Sequence, residues 1–408
     1  MSKQYIITER AHLMCPNMHF GILISIDKKY LFNSVRETLK ALFDAHPFLK
    51  SIIARESSGR LYYKFQEQIE AKFTEKISTG SLQGDYKEVS EMGWDVFHER
   101  LLKVFVYPKP DGFDILFIAH HLLCDGRGLL ELARSFADSY VKGVSPVYRE
   151  VCLIKSLKDF SIGSDLPWIS KMIIDRVNRK WKKENHSVEY NKYQKFEVNY
   201  IKQNTVRLSI ETKEGADVRS IIDLCHEKEI SINDYLIAKM MIDEHTNKVL
   251  IAADIRKYVT VYKVRSLGNF STAFGVVCNS KEKDIWSLAK KVSKIVENQM
   301  NSPKKLMLVL ACYIRMCPEL IDAVAISTLG DYPSNAGKFV GSNMFGYKNR
   351  NGYSITNLGK IESDTIEKAI FIPPASPANK KTLGVVTVNT TMSVCSIETV
   401  GNIEYEKS

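Results

Sequence analysis

Two adjacent histidines and an aspartate, at the end of an apolar run, are the side chains best suited to chemistry in this sequence. Residues 115–119 read ILFIA, and His120, His121 and Asp125 follow, with Gly126 directly after the aspartate. A neutral imidazole beside an apolar segment is suited to taking a proton from a hydroxyl, amine or thiol near pH 7. The pattern indicates general acid–base chemistry, and the structural alternative is a hydrogen-bonded polar network with no catalytic role.

The two histidines are predicted to have different roles. Successive side chains of an extended segment point to opposite faces, so one of the pair is expected to act on substrate and the other to pack or form hydrogen bonds. A serine hydrolase is disfavoured because the sequence has no GxSxG elbow. A metal site is disfavoured because no histidines have the helical HxxxH spacing. Cys124 has apolar neighbours and is interpreted as a packing residue rather than a nucleophile.

Strands and helices alternate along the sequence and would position these residues. The continuous apolar run of 115–119 predicts a strand buried on both faces, and apolar residues at spacings of three and four predict a following helix that ends near Gly143. The alternation in both halves predicts an α/β fold of α+β two-layer type. Further helices are predicted at 32–44, 216–228, 284–299 and 303–326, with one more that begins near the capping candidates Ser231 and Asn233. Further strands are predicted as a hairpin of 49–54 with 60–65, at 204–210, 249–254, 270–278, 352–357 and 369–372, and within 383–400. The stretch 70–95 is predicted to be irregular and 144–195 to be loop-like.

The length predicts more than one structural unit. A chain of 408 residues is two to three times the size of a typical domain. We expect an N-terminal lobe at 1–165, a basic linker at 166–195 and a C-terminal lobe at 196–408.

The composition is that of a soluble globular protein, with 45% hydrophobic and 25% charged residues. The first residues lack the apolar stretch of a signal peptide, and no apolar run approaches the ~18 residues of a membrane span. The eight cysteines include no CxxC pair and are expected to be reduced thiols. These features predict a cytoplasmic protein without a zinc site.

The net charge of +10 comes from clusters at 176–183, 256–265 and 281–305. No nucleic-acid-binding signature accompanies them, so a nucleic-acid partner is not expected. Most of these cations are interpreted as the solvated faces of helices. A smaller part could attract an anionic substrate, such as the phosphates of coenzyme A or an acidic carrier protein.

The run HHLLCDG at residues 120–126 matches the HHxxxDG signature of the chloramphenicol-acetyltransferase-like superfamily, which includes condensation domains and alcohol acetyltransferases. Further segments resemble other landmarks of that superfamily in the same order, and the resemblance is greatest to its stand-alone alcohol-acetyltransferase-like members. These segments are HPFL at 46–49, SIND at 231–234, DIR at 254–256 with LGNF at 267–270, and ITNLG at 355–359.

The resemblance implies two lobes of chloramphenicol-acetyltransferase type that form a V with a tunnel between them. It implies that His121 is the general base, that His120 supports it, and that Asp125 is a structural residue paired with a basic side chain. A mechanism of this kind deprotonates an acceptor hydroxyl or amine as it attacks an acyl thioester.

The resemblance also implies a substrate path. Gly126 would leave room for the thioester arm, while Asn269 and Phe270 would line the tunnel. The donor would be a coenzyme A thioester or the phosphopantetheine of an acyl carrier protein, with a small-molecule acceptor and no permanently bound cofactor. We expect a monomer. The alternative is a non-catalytic member that binds an acyl thioester or a carrier protein.

Two positions depart from the condensation-domain pattern. Lys50 stands where those domains have an arginine that pairs with the motif aspartate, and lysine lacks the bidentate fork. Arg55, Arg127 and Arg256 are alternative partners between which the sequence does not choose. Residues 271–272, Ser-Thr, stand where condensation domains have an asparagine, which makes a peptide-bond-forming role less expected.

Overall fold

A computed structural model gives the fold of this protein for residues 3–66, 74–75, 80–161, 165–278, 282 and 284–401. The strands are β1 (Gln4–Tyr5), β2 (His19–Ile26), β3 (Ser51–Arg55), β4 (Leu61–Phe65), β5 (Thr74–Glu75), β6 (Leu102–Pro108), β7 (Phe113–His120), β8 (Asn204–Glu214), β9 (Lys248–Asp254), β10 (Ser271–Val277), β11 (Gly352–Ile361), β12 (Lys368–Ile372), β13 (Asn379–Val388) and β14 (Thr391–Gly401).

The helices alternate with these strands as an α/β fold requires. They are α1 (Phe32–Ala45), α2 (Leu82–Met92), α3 (Gly126–Lys142), α4 (Trp168–Glu184), α5 (Tyr190–Gln203), α6 (Ala216–Glu227), α7 (Ile232–Asp243), α8 (Ile285–Met300), α9 (Pro303–Leu306), α10 (Leu308–Arg315), α11 (Pro318–Leu329) and α12 (Asn335–Asn343). Short 3₁₀ turns lie at Thr8–His12, Pro47–Lys50, Leu157–Asp159 and Arg256–Tyr258. We call the first of these the N-terminal turn.

A five-stranded sheet carries the histidine motif. Its strand order is β12-β2-β7-β6-β5, and β7 lies in its centre. β2 is buried at every position and β7 at all but one, as expected of strands covered on both faces. In the β2–β7 register His19 lies opposite His120, so the motif begins where the central strand ends.

The C-terminal part of the chain completes this first sheet. β12, at residues 368–372, pairs antiparallel with β2 as an edge strand. The second sheet has six strands in the order β10-β9-β11-β13-β14-β8, with β11 parallel to both β9 and β13. Buried apolar side chains form two clusters. The first covers the five-stranded sheet and also contains residues of β13, β14, α10, α11 and α12, and the second lies on the six-stranded sheet.

The predicted α/β fold class is confirmed, and the elements next to the motif closely match their predictions. α3 begins at Asp125, whose side chain accepts a hydrogen bond from the Gly128 N–H, and ends at Gly143 in the left-handed conformation. α7 begins with Ser231 in a capping box that Asp234, rather than Asn233, completes. The V-shaped arrangement of two lobes stays a prediction.

Three sequence predictions about local structure were wrong. Within the stretch predicted as irregular, residues 82–92 form α2, while 70–73 and 76–79 lie outside the described residues. The stretch 144–195, predicted to be loop-like, contains α4 and the start of α5. α4 buries only Ile174, Val177 and Trp181, so its narrow apolar stripe is obscured by basic residues in the sequence.

The helix predicted at 303–326 is three helices, α9, α10 and α11. Proline at position 318 has no N–H to continue α10 and begins α11 instead. The alternating stretch 383–400 is the β13–β14 hairpin, which turns at Asn389 with a positive φ of 52°. Among the described residues, no helix is long and apolar enough to cross a bilayer.

Candidate functional site

His121 lies just beyond the end of β7, where its ring is held between neighbours. Its backbone N–H donates to the Met18 carbonyl at 2.8 Å. Its ring stacks on that of His12, with centroids 4.6 Å apart and planes 19° apart, and also packs against Phe20. His12 belongs to the N-terminal turn, so a segment more than a hundred residues earlier in the chain fixes the orientation of the imidazole.

Asn269 determines which ring nitrogen of His121 carries the proton. The Asn269 Nδ2 donates to the His121 backbone carbonyl, and the Asn269 Oδ1 lies 3.2 Å from the His121 Nδ1. Because a carbonyl only accepts, the amide must present its oxygen to the ring, and the Nδ1 must therefore donate. In the neutral imidazole the Nε2 is then the basic nitrogen. Asn269 thus holds His121 in the tautomer whose Nε2 can accept a proton.

Burial keeps the His121 imidazole neutral. Burial lowers the pKa of His121 below its ordinary value of 6.5, while the Asn269 hydrogen bond, the charge of Asp125 and the Cys124 carbonyl act in the opposite direction. Burial and the neighbouring His121 lower the pKa of His12 well below 6.5. At neutral pH both stacked rings are uncharged, so a proton acceptor is available.

His120 faces away from His121, as the alternation along a strand predicts. Its ring meets Trp94 edge-on at 5.7 Å, and its Nδ1 accepts a hydrogen bond from the Leu122 N–H at 3.2 Å. Burial, followed by the nearby His19, lowers its pKa well below 6.5. It is a buried neutral residue that shapes the turn after β7.

Asp125 is fully engaged in holding the motif loop. Its Oδ1 accepts from the Gly128 N–H and from Arg256 Nη2, both at 2.8 Å, and its Oδ2 accepts from the Phe270 N–H at 2.7 Å. The side chain is buried, and each oxygen has a partner. Asp125 therefore joins α3 to the segment between β9 and β10, and it has no hydrogen bond to His121.

Arg256 is the basic partner of Asp125 that the sequence left undecided. The Arg256 side chain also bonds Asp254 Oδ1 at 3.1 Å and lies over the Tyr262 ring. Burial lowers the pKa of Arg256, but the charges and hydrogen bonds of Asp125 and Asp254 together outweigh it, so the net pKa is raised. Two of the other candidates bind elsewhere: Arg127 pairs with Asp254, and Lys50 pairs with Asp44.

A cavity of about 360 Å³ opens beside His121. It is mainly apolar, with small alanines on one wall and α10 on another. Gly126 lies on its wall, where an added Cβ would come within 3.0 Å of Phe371 and 3.1 Å of Leu358. The predicted residues His121, Asp125, Gly126 and Asn269 all line it. Its other lining residues include Thr8, His12, Arg127, Ala252, Ala253, Asp254, Arg256, Ser271, Thr272, Ala273, Val309, Leu310, Tyr313, Thr356, Asn357, Leu358, Gly359, Phe371 and Pro374.

Phe270 and Cys124 lie behind the cavity wall. Phe270 is fully buried, and its ring packs edge-on against Tyr262 at 4.9 Å while its N–H binds Asp125. Cys124 is fully buried, and burial raises the pKa of its thiol well above the ordinary value, which agrees with its interpretation as a packing residue.

Sequence reasoning missed several residues of this site. His12 and Thr8 come from the N-terminal turn, and Tyr313 comes from α10. No spacing or motif in the sequence links them to the histidine pair, because only the tertiary fold brings these segments together. In the described part of the chain, no group of three or more histidine, cysteine, aspartate or glutamate side chains could hold a metal ion.

Comparisons with known proteins identify similar structures but no similar sequences. No protein-family model and no curated protein matches the sequence. The trichothecene 15-O-acetyltransferase from Fusarium sporotrichioides is similar with a TM-score of 0.65 at 11% identity, over 99% of this chain and 92% of that one. The first condensation domain of the CDA synthetase gives 0.57 at 10% identity, over 97% and 91%. The epimerization domain from the third module of tyrocidine synthetase B gives 0.56 at 15% identity, over 97% and 88%.

Proposed function

Because this chain has the chloramphenicol-acetyltransferase-like fold of condensation domains, we propose that it transfers an acyl group from a thioester to a hydroxyl or amine acceptor. The observation that carries the proposal is the His121 imidazole, which lines an apolar cavity and is held by Asn269 with Nδ1 as the donor. A neutral base in an apolar cavity is what deprotonation of such an acceptor requires.

In the proposed reaction His121 is the only side chain that carries a proton between acceptor and leaving group. His121 Nε2 takes the proton of the acceptor as the acceptor oxygen or nitrogen attacks the thioester carbonyl carbon. The tetrahedral intermediate then collapses, the carbon–sulfur bond breaks, and the thiolate takes the proton from His121. The products are an ester or amide and a free thiol, and the imidazole returns to its starting state.

Asp125 has a structural role in this proposal. It is bonded to Arg256 and two backbone N–H groups, so it holds the loop that carries His121 without touching the ring. The apolar wall of the cavity suits an acyl chain and excludes water that would hydrolyse the thioester. The donor we propose is a coenzyme A thioester or a carrier-bound phosphopantetheine thioester.

The fold alone does not distinguish acyl transfer from other reactions. Its structural neighbours include an acetyltransferase, a condensation domain and an epimerization domain. Two departures motivate the non-catalytic alternative: Lys50 in place of the arginine expected to pair with the motif aspartate, and Ser-Thr at 271–272 in place of an asparagine. Arg256 supplies the charge of the expected arginine in a buried contact with Asp125 at 2.8 Å, and this favours the catalytic proposal.

The proposal is tested by measuring free-thiol release from acetyl- and longer acyl-coenzyme A, with a panel of alcohols and amines. Wild type, His121→Ala and a control, His98→Ala, are compared, because His98 is exposed on the surface. General-base catalysis contributes roughly 10²- to 10⁴-fold, so His121→Ala should lose acceptor-dependent release by that factor while the control keeps it.

A folded His121→Ala variant with full activity would refute the proposed base. If no coenzyme A donor gives thiol release, the same assay is run with carrier-bound thioester donors. If those also fail, acyl transfer is excluded and the binding-only alternative remains.

A further inference from the structure

The helix α4 has an unusual solvent face, unrelated to the cavity. At about 100° per residue, eight of its exposed side chains fall within a single arc of roughly 140°. Along the helix axis, the N-terminal half of this face is apolar and the C-terminal half is cationic. These residues, which we call the α4 face, are Trp168, Ile169, Met172, Ile173, Arg176, Arg179, Lys180 and Lys183.

The apolar half is exposed to an extent that is rare for such large side chains. Trp168 is 71% exposed, Ile169 51%, Met172 54% and Ile173 40%. A continuous apolar patch on a soluble protein indicates an interaction surface, whereas single exposed apolar residues need no explanation. These four are adjacent on two successive turns, so they form a patch.

The cationic half is only weakly neutralised: the carboxylate beside it in the described part of the chain is Asp175, on which the charge of Arg179 acts and which Arg315 already binds. Arg176, Arg179, Lys180 and Lys183 form no salt bridge with any carboxylate in the described part of the chain. The Arg179 Nε donates only to the Asp175 backbone carbonyl. Four cations without a salt bridge produce a positive local potential next to the apolar patch.

The opposite side of α4 is anchored to the body of the protein. Ile174, Val177 and Trp181 are buried, and Arg315 at the end of α10 forms two hydrogen bonds with the Asp175 carboxylate, at 2.8 and 2.6 Å. The α4 face is therefore a fixed surface. α10 also lines the cavity beside His121, so it lies between the α4 face and the candidate active site.

From this arrangement we infer that the α4 face docks on an anionic lipid surface. Apolar side chains with a tryptophan insert at the boundary of headgroups and acyl chains, and lysine and arginine beside them bind lipid phosphates. The 17 residues of α4 span about 25 Å, so both halves reach the same membrane plane at once. The inference does not depend on the proposed acyl transfer.

Other occupants fit the α4 face less well. A nucleic acid would bind the cations but would leave the apolar half unburied. In a two-fold pair of this chain with α4 antiparallel to α4, the apolar half of one copy would lie against the cationic half of the other, which buries unpaired charge. A bilayer with anionic lipids offers both environments side by side.

The test is co-sedimentation of the full chain with vesicles of phosphatidylcholine alone or with 30% phosphatidylglycerol, at about 0.15 M salt. Wild type should bind the anionic vesicles and bind the neutral ones much more weakly. Tryptophan fluorescence should shift to the blue on binding and be quenched by brominated acyl chains. Trp168→Phe should remove most of this change, since Trp94 and Trp181 are buried and Trp286 of α8 is half-buried and stacked on Tyr235.

Two pairs of variants separate the α4 face from the overall charge. The triple change Arg176→Gln, Lys180→Gln, Lys183→Gln should weaken binding about fivefold per cation and roughly 100-fold in all. The control removes three exposed lysines of α8, at 290, 291 and 294, and should retain binding near the wild-type level. Met172→Ser with Ile173→Ser should weaken binding at least tenfold, whereas Val264→Ser, at another exposed apolar residue, should not.

Equal loss in the α4 and α8 charge variants would overturn the inference, because binding would then follow net charge alone. Absence of binding to anionic vesicles would also overturn it. Concentration-dependent dimerisation that Met172→Ser abolishes would identify a second copy of the chain as the occupant instead.

Discussion

Replacing Asn269 with leucine should impair His121 without removing it. In the folded protein the Asn269 amide makes two contacts with one residue, to the His121 carbonyl and to the ring Nδ1. Leucine has a similar volume and can make neither. The variant therefore isolates the choice of tautomer from the packing of the cavity wall.

The expected magnitude follows from the lost hydrogen bonds. A net contribution of about 1 kcal/mol from the Nδ1 contact corresponds to about a fivefold change in the population of the reactive tautomer. Loss of the ring's fixed orientation adds to this, so we expect kcat/KM to fall about 5- to 50-fold. The buried His121 carbonyl also loses its donor, which should lower the free energy of unfolding by about 1–3 kcal/mol.

The pH dependence distinguishes a positioning role from a purely structural one. The hydrogen bond that His121 Nδ1 donates to Asn269 Oδ1 raises the pKa of His121 against the larger lowering effect of burial. Its removal should therefore lower the pKa further and move the acidic limb of the kcat/KM profile to lower pH. A residue that only packs would reduce activity without moving that limb.

The assay is acceptor-dependent thiol release across pH 4 to 9, with wild type, Asn269→Leu and Asn357→Ala. Asn357 lines the same cavity but bonds the Gly359 N–H rather than the histidine, so its replacement should leave the limb in place. If Asn269→Leu leaves the acidic limb of the kcat/KM profile in place and keeps kcat/KM within twofold of wild type, Asn269 does not control the base.

Two further predictions concern stability. Arg256→Leu leaves the buried Asp125 carboxylate without its cation and should lower the free energy of unfolding, measured in urea, by about 3–5 kcal/mol. The control Arg127→Leu removes a half-exposed ion pair and should lower the free energy of unfolding by less than about 1 kcal/mol. Similar losses for the two variants would contradict the structural role of the Asp125 pair. Burial raises the pKa of Glu9 from 4.5 to about 7, so Glu9 should contribute a loss of about 3 kcal/mol of stability as pH rises from 4.5 through 7. Burial raises the pKa of Glu197 similarly, so wild type should lose about 3 kcal/mol more than Glu9→Gln rather than show a loss that the variant lacks altogether. Denaturant unfolding of both proteins at pH 5 and pH 8 measures this difference, and parallel pH dependence would exclude Glu9 as the cause.

The sequence determined the elements whose signals are local. The buried strand before the histidines is a continuous apolar run, and α3 has its cap residues at both ends, Asp125 and Gly143. The opposite orientation of His120 and His121 follows from the two-residue period of a strand. The α/β class follows in the same way from alternating patterns.

Local signals failed where a tertiary contact stabilises the element. α4 is held by a narrow buried stripe and by the Asp175–Arg315 contacts, and its many cations made it resemble a linker. β12 is a short strand whose partner, β2, lies more than 300 residues earlier in the chain. Its apolar residues identify a strand, but the sheet that it joins is not encoded in its own sequence.

The candidate site divides in the same way. His121, Asp125, Gly126 and Asn269 were found from the sequence because they belong to short motifs with fixed spacing. The stacking of His12 on His121 was decided only by the fold, and so was the choice of Arg256 as the partner of Asp125. Both contacts join residues more than a hundred positions apart, and such a contact depends on how sheets and turns pack together rather than on any pattern within one segment.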